Sequence, residues 1–271
     1  MPRSRLPAFR STARRSTGLA ACLLLAGAAS AQDFDTLRRD GATREGGRVG
    51  LALVAGPAYK GSDDRRVSLL PGVEYRWANG WFAGVGSGVG YEFLRSDTTT
   101  AGVRLTPDFG RKESRSDDLR GMGDVRIRPE IGVYLNRAVL TPGLALHGEM
   151  RLGAGGSGLL AELGASYGMP LAPQWRLRFG ATATLANDDY MQTFFGVTPE
   201  QSASTGRYAP YTAEAGVRDT KLAATVLHLV SRDWAVTGTL SASTLHGDAA
   251  GSPLTRQRTN IGLLLAVGTS F

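Results

Sequence analysis

From Arg66 to Trp77 the chain alternates. Val67, Leu69, Pro71, Val73, Tyr75 and Trp77 fall on one parity, and Arg66, Ser68, Leu70, Gly72, Glu74 and Arg76 on the other. A period of two predicts a strand with two unlike faces. The plan recurs along the chain. Between Asp124 and Asn136, Val125, Ile127, Ile131, Val133 and Leu135 oppose Arg126, Arg128, Glu130 and Asn136. From Leu140 to Leu152, a leucine-rich row opposes His147, Glu149 and Arg151. Leu159, Leu163 and Tyr167 then oppose Glu162 and Ser166. Trp175, Leu177 and Phe179 oppose Arg176 and Arg178, and Trp234, Val236 and Leu240 oppose Thr237, Thr239 and Ser241. The last run alternates from Asn260 and ends the chain on Phe271. Beyond the N-terminus no long segment carries the helical period.

Run length separates a soluble sandwich from a membrane barrel. Soluble strands average about 5–6 residues, whereas a tilted strand needs about 9–11 to cross a bilayer. These runs have the longer length. Trp77, Trp81, Trp175, Trp234 and Phe271 sit near their ends, where interfacial girdles place aromatics. The predicted fold is all-β, a transmembrane antiparallel up-and-down β-barrel. Eleven candidate strands are legible, and a closed bacterial barrel needs an even number. Counting Arg207 to Arg218 as a strand gives twelve, the favoured number; omitting Thr98 to Phe109 gives ten. Twelve puts the "ANG" turn after Trp77 and the "SRD" turn before Trp234 on the periplasmic side.

The N-terminus supplies the compartment. Arg3, Arg5, Arg10, Arg14 and Arg15 precede any acid, an apolar run from Gly18 follows, and Ala29-Ser30-Ala31 has the small-x-small form of a cleavage site. The predicted organisation is a cleaved signal peptide over residues 1–31, a periplasmic segment over 32–46 and a barrel over 47–271. The expected location is the outer membrane of a Gram-negative cell envelope. Cys22 is the single cysteine and lies within the leader, so no disulfide or thiol chemistry is expected in the exported chain. The formal charge of +7, less five leader arginines, leaves +2, which removes the argument for a nucleic-acid partner.

Inward parity collects the candidate lumen residues Arg66, Glu74, Arg76, Arg104, Arg126, Arg128, Glu130, Glu149, Arg151, Glu162, Arg176 and Arg178. Such charges either pair across strands and fill the interior or line a weakly anion-preferring path. The glycines of "AGVGSGVG" alternate within an expected strand, with no helix or phosphate-loop lysine after them, so they are read as leaving room for neighbouring side chains. His246, Asp248 and Ser252 share a Gly/Pro-rich loop but lack the context of a hydrolase triad. His147 and Glu149 are too few for a metal site. Asp63, Asp64 and Asp97, interleaved with arginines, suit an ion-paired loop better than calcium. No catalytic residue, metal or cofactor is expected.

Several separated stretches resemble the MipA/OmpV family of outer-membrane proteins. The first carries Tyr59, Gly61, Ser62, Asp63 and Pro71. The long "NDDYMQTFFGVTPEQSASTG" stretch carries Tyr190 and Gly196, and "LHGDAAGSPLT" carries Gly247, Asp248, Ser252 and Pro253. "GRKESRSDDLRGMGD" resembles the family's middle loop. The resemblance spans nearly all of the expected exported chain. It implies a non-enzymatic barrel in outer-membrane lipid that serves as a scaffold between a lytic transglycosylase and a peptidoglycan synthase. For other members it implies passage of small solutes or antibiotics, and it carries no family-wide catalytic residues.

Overall fold

The structure, a computed structural model, describes residues 45–139 and 141–271. The expected leader and residues 32–44 of the expected periplasmic segment lie outside the described residues. Twelve strands follow one another: β1 (Gly46–Pro57), β2 (Arg65–Arg76), β3 (Trp81–Gly84), β4 (Gly88–Arg95), β5 (Thr99–Asp108), β6 (Arg128–Ala138), β7 (Leu144–Gly153), β8 (Gly158–Ala172), β9 (Trp175–Ala186), β10 (Gly216–Leu229), β11 (Trp234–Leu245) and β12 (Thr259–Ser270). Each is antiparallel to its sequence neighbours. β1 closes the ring on β12, from Arg48 opposite Ser270 to Ala55 opposite Leu263. Closure leaves no free sheet ends.

The barrel has the expected number of strands, reached by a different division. Residues 207–215 form no strand, and the chain enters the wall only at Gly216. The twelfth strand comes from the glycine-rich run instead: a turn at Val85–Ser87 separates β3 from β4. The alternation of Val85, Ser87 and Val89 continues through this turn and hides it. Gly88 follows with φ +75°, and a Cβ there would stand 2.1 Å from the Leu105 carbonyl oxygen. Gly88→Val is therefore expected to destabilise the barrel, with about 1–2 kcal/mol from the left-handed backbone alone and more from the clash. A lowered urea midpoint for the detergent-refolded variant is the check.

The two faces separate as alternation predicts. Outward positions such as Val67, Leu69, Leu163 and Leu222 are more than 60% exposed, and together they form a lipid-facing band. Both described chain ends and the short turns after β2, β4, β6, β8 and β10 occupy one rim. The long connections occupy the other. Short turns are periplasmic in such barrels and long loops extracellular. The periplasmic rim carries the aromatics: Tyr75 meets Trp77 edge-on at 4.9 Å, Trp81 meets Tyr91 at 5.4 Å, and Trp175 stacks on His228 at 4.2 Å. Phe271 exchanges two backbone hydrogen bonds with Gly47, of 2.9 and 3.0 Å, so the terminal aromatic closes the β1–β12 seam.

Candidate functional site

The inner wall carries charge pairs within strands and between strands one or two places apart. Arg76 Nε donates to Glu74 at 2.6 Å, and its Nη1 reaches Glu92 at 2.5 Å. The Tyr134 hydroxyl donates to the same Glu92 oxygen at 3.2 Å. Arg104 grips Glu149 with two bonds of 2.5 Å. Arg151 lies 3.3 Å from Glu130, 2.9 Å from Glu162 and 3.9 Å from Glu149. Inward glycines provide the room. A Cβ on Gly132 would stand 3.0 Å from Arg151 Cγ, and one on Gly90 would stand 2.3 Å from the Phe82 ring. Glu130, Glu149 and Glu162 are buried, and a buried carboxylate is tolerated because it is paired.

A further pair breaks the alternation. Arg218 and Asp219 are consecutive, yet both are buried. The β9–β10 register shifts between Val217 and Asp219, and such a bulge re-aims a side chain. Arg218 Nε then meets Asp219 at 2.5 Å, while its Nη1 donates to the Tyr190 hydroxyl at 2.9 Å. Strict parity could not find both residues.

Four connections pack over the extracellular mouth. They are residues 58–64, 109–127, 187–215 and 246–258. The third contains two helices, α1 (Asp188–Phe195) and α2 (Pro199–Thr205); the last contains the short α3 (Gly247–Gly251). Asn187 caps α1, and Thr198 with Gln201 forms a capping box on α2. Tyr190, Met191 and Phe195 of α1 pack against Leu160, Ala186 and Leu245 of the wall and Ala249 of α3. Met122, Val197, Tyr208 and Leu254 form a second apolar cluster from three connections. Polar bonds tie the same parts together. Arg256 meets Asp118 at 2.7 Å, Arg111 Nη1 donates to the Phe194 carbonyl at 2.8 Å, and Gln201 Nε2 donates to the Met122 carbonyl at 2.7 Å. Burial lowers Arg111 to about 10. The hydrogen bond from Arg256 holds Asp118 below its ordinary range.

Most of the residues that carry the family resemblance meet in this cap. Tyr59 is buried and donates to the Leu254 carbonyl at 2.9 Å. Gly61 has φ +89°, and its amide donates to Asn260 at 3.2 Å. Ser62 is buried, Asp63 exposed, and Tyr190 sits under Arg218. Gly196 ends α1 and Gly247 opens α3. Asp248 accepts from the Glu214 amide at 2.8 Å, and Ser252 donates to the Phe195 carbonyl at 2.6 Å. Pro253 follows in the same turn. Pro71 alone lies in the wall. His246 instead pairs with Thr220 at 2.8 Å, so His246, Asp248 and Ser252 serve three separate contacts.

The other candidates divide by height. Glu74, Arg76, Arg104, Glu130, Glu149, Arg151 and Glu162 belong to the paired interior. Arg66 stands near the top of β2, and Arg128 reaches the Gly155 carbonyl at the rim. Arg176 and Arg178 lie at the periplasmic start of β9. Arg126 departs from expectation: β6 begins only at Arg128, and Arg126 is exposed on the connection before it. Asp97 is in the periplasmic β4–β5 turn, at the opposite end from Asp63 and Asp64.

Lys60 was not a sequence candidate. It extends from the first connection toward Arg218, Asp219, Glu162 and Lys221. Arg218 and then burial lower its pKa from 10.5 to about 8. The folded chain thus binds fewer protons here than the unfolded chain between those values, so this group makes stability rise with pH across that window. The urea midpoint is expected to rise from pH 8 to 10, and Lys60→Met is expected to remove that rise. Equal slopes in the two proteins would exclude Lys60 as its source.

A family profile described as MltA-interacting protein MipA matches residues 49–271. No curated protein matches the chain. Among solved structures, a NanC porin is 13% identical, with 83% of this chain and 99% of that one covered and a TM-score of 0.45. An outer membrane channel from Pseudomonas putida F1 is 11% identical, with 86% and 100% covered and a TM-score of 0.43. An anion-selective porin from Comamonas acidovorans is 9% identical, with 84% and 99% covered and a TM-score of 0.38.

Proposed function

The chain belongs to the MipA family of MltA-interacting proteins, and from that membership and the closed mouth we propose a non-enzymatic outer-membrane scaffold for peptidoglycan-remodelling enzymes. Its expected partner is a lytic transglycosylase, with a peptidoglycan synthase as the second enzyme. One observation supports scaffold over pore: the cap joins connections from opposite sides of the ring, Arg111 to Phe194 and Arg256 to Asp118, over the mouth. A barrel closed in this way offers its periplasmic rim as the working surface. That surface comprises the turns at residues 77–80, 96–98 and 230–233, and the expected periplasmic segment from Gln32 to Gly46, of which residues 32–44 lie outside the described residues, is proposed to add to it. Its exposed Trp77, Trp81 and Trp234 belong to a residue type that anchors interfaces.

The test is retention of a purified lytic transglycosylase by the immobilised full chain in detergent. Retention is expected, and replacing Ser231-Arg232-Asp233 by Gly-Ser-Gly is expected to weaken it. No retention by the folded barrel would refute the scaffold. A second reading, passage of a small anionic solute, draws on Arg176 and Arg178 at the periplasmic end. It requires the cap to open.

A further inference from the structure

The inner wall has a second face, unlike the charged one. On β11, β12, β1 and β2 the inward rows are short and uncharged. Ala235, Gly268, Gly50 and Gly72 stand side by side in one row. Two residues further from the periplasmic rim, Thr237, Ala266, Ala52 and Leu70 form the next. Their strand neighbours Val49, Leu51 and Val267 are exposed on the lipid side, which fixes the direction of both rows. The first row floors a cavity whose lining includes Arg232 and Asp233 of the rim turn.

This face is buried although it looks into the lumen. Ala52 and Thr237 are 0% exposed, and Leu264 and Ala266 no more than 5%. Among the described residues, the cluster of Ala52, Leu264 and Ala266 is joined only by Val54 of the same wall. The two apolar clusters of the cap contain none of them. Thr237 Oγ1, on the second row, is buried without a hydrogen-bond partner. A buried hydroxyl left unpaired is costly, so its position calls for a donor or acceptor from the lumen side. A glycine floor admits the close approach of another backbone. Together, the floor and the hydroxyl suit a polypeptide, which brings both a slim main chain and amide groups.

We propose that this face is the docking site of the chain's own segment 32–44, which lies outside the described residues and leads into β1. The segment joins the wall at the right place, because β1 begins at Gly46 on the periplasmic rim. Its length suffices. Ala52 stands six residues along β1 from Gly46, about 20 Å, and the eight residues from Leu37 to Glu45 reach up to about 26 Å when extended. Its chemistry also fits. Phe34 and Leu37 are apolar partners for Ala52, Leu264 and Ala266, and a main-chain amide completes Thr237. Asp33, Asp35 and Asp40 complement Arg176 and Arg178, which start β9 at the same rim, three strands round from β12. The scaffold reading offers this segment to an enzyme at the rim. Docking describes the barrel without its partner and does not depend on that reading.

Cysteine chemistry tests it without any enzyme present, since the chain from Gln32 onward has no cysteine. Ala52→Cys is expected to react slowly with a membrane-impermeant maleimide in the detergent-folded chain. Removing residues 32–44 is expected to speed labelling roughly tenfold or more, the factor that burial of one leucine supports. Heat-dependent gel migration checks that both chains are folded. In the second arm, mild oxidation of Leu37→Cys with Ala52→Cys, or with Thr237→Cys, is expected to give an intramolecular disulfide. Leu37→Cys with the lipid-facing Leu163→Cys is the control and is expected to give none. Equal labelling of Ala52→Cys with and without the segment, whether fast or slow, would overturn the docking. So would a disulfide to Leu163→Cys as abundant as those to the lumen positions.

Discussion

Glu149→Gln is expected to lower the unfolding free energy of the refolded barrel by ~3–5 kcal/mol, the cost of breaking a buried pair by removing one partner. Glu149 is 5% exposed and holds both Nε and Nη2 of Arg104. It also stands 3.9 Å from Arg151. Glutamine keeps the shape but removes the charge. Arg104 then has an uncompensated guanidinium facing Tyr134, whose ring it covers at 5.6 Å. Arg151 loses less, because Glu130 and Glu162 remain. The double change Arg104→Met with Glu149→Leu is expected to fall close to wild type, since replacing a whole buried pair by apolar groups is often neutral. Urea titration followed by tryptophan fluorescence distinguishes the cases. A single variant as stable as wild type would mean that water, not Arg104, satisfies Glu149.

The ion pairs belong to the part of the molecule that the sequence displays. Wherever strands are long and regular, as in β6 to β9, β11 and β12, parity alone separates lipid from lumen. The errors lie where local chemistry interrupts the period without changing its appearance. Val85, Ser87 and Val89 keep alternating through a turn, so β3 and β4 look like one strand. Residues 207–215 precede β10, but their backbone is used in the cap. One of its bonds runs between Tyr211 and Val197. At Arg218 and Asp219 a bulge turns two successive charges inward, and no single-sequence period predicts it. Arg126 alternates correctly with Ile127 yet precedes the wall. The helices left a fainter signal that sequence did contain: Asn187 ahead of Asp188 and Asp189, and Thr198-Pro199-Glu200-Gln201, are helix-start patterns. Their shortness hides them from any search for helical period.

Replacing Asp188–Thr205 by a short Gly-Ser linker is expected to turn a barrier into a conduit. The deletion removes Tyr190, Met191 and Phe195 from the first apolar cluster and Val197 from the second. It also removes the Arg111 and Ser252 anchors, which both bond carbonyls of α1. The remaining connections keep Tyr59 on Leu254 and Arg256 on Asp118, but both apolar clusters beneath them lose the members that α1 and Val197 supply. The wall should survive, because its strand pairs and the Arg104–Glu149 and Arg151 pairs do not involve the deleted residues. In planar bilayers the wild type is expected to hold the current near baseline, and the deletion is expected to give long-lived steps. Arg218→Ala is a gentler test of the same barrier. It severs the bond to the Tyr190 hydroxyl but leaves α1 packed, so brief openings are expected rather than sustained ones. If the wild type already conducts steadily, the cap does not seal the mouth and the solute reading gains over the scaffold. If the deletion folds and stays silent, the seal lies lower, in the charged interior, and Arg76 with Glu74 and Glu92 becomes the place to look for it.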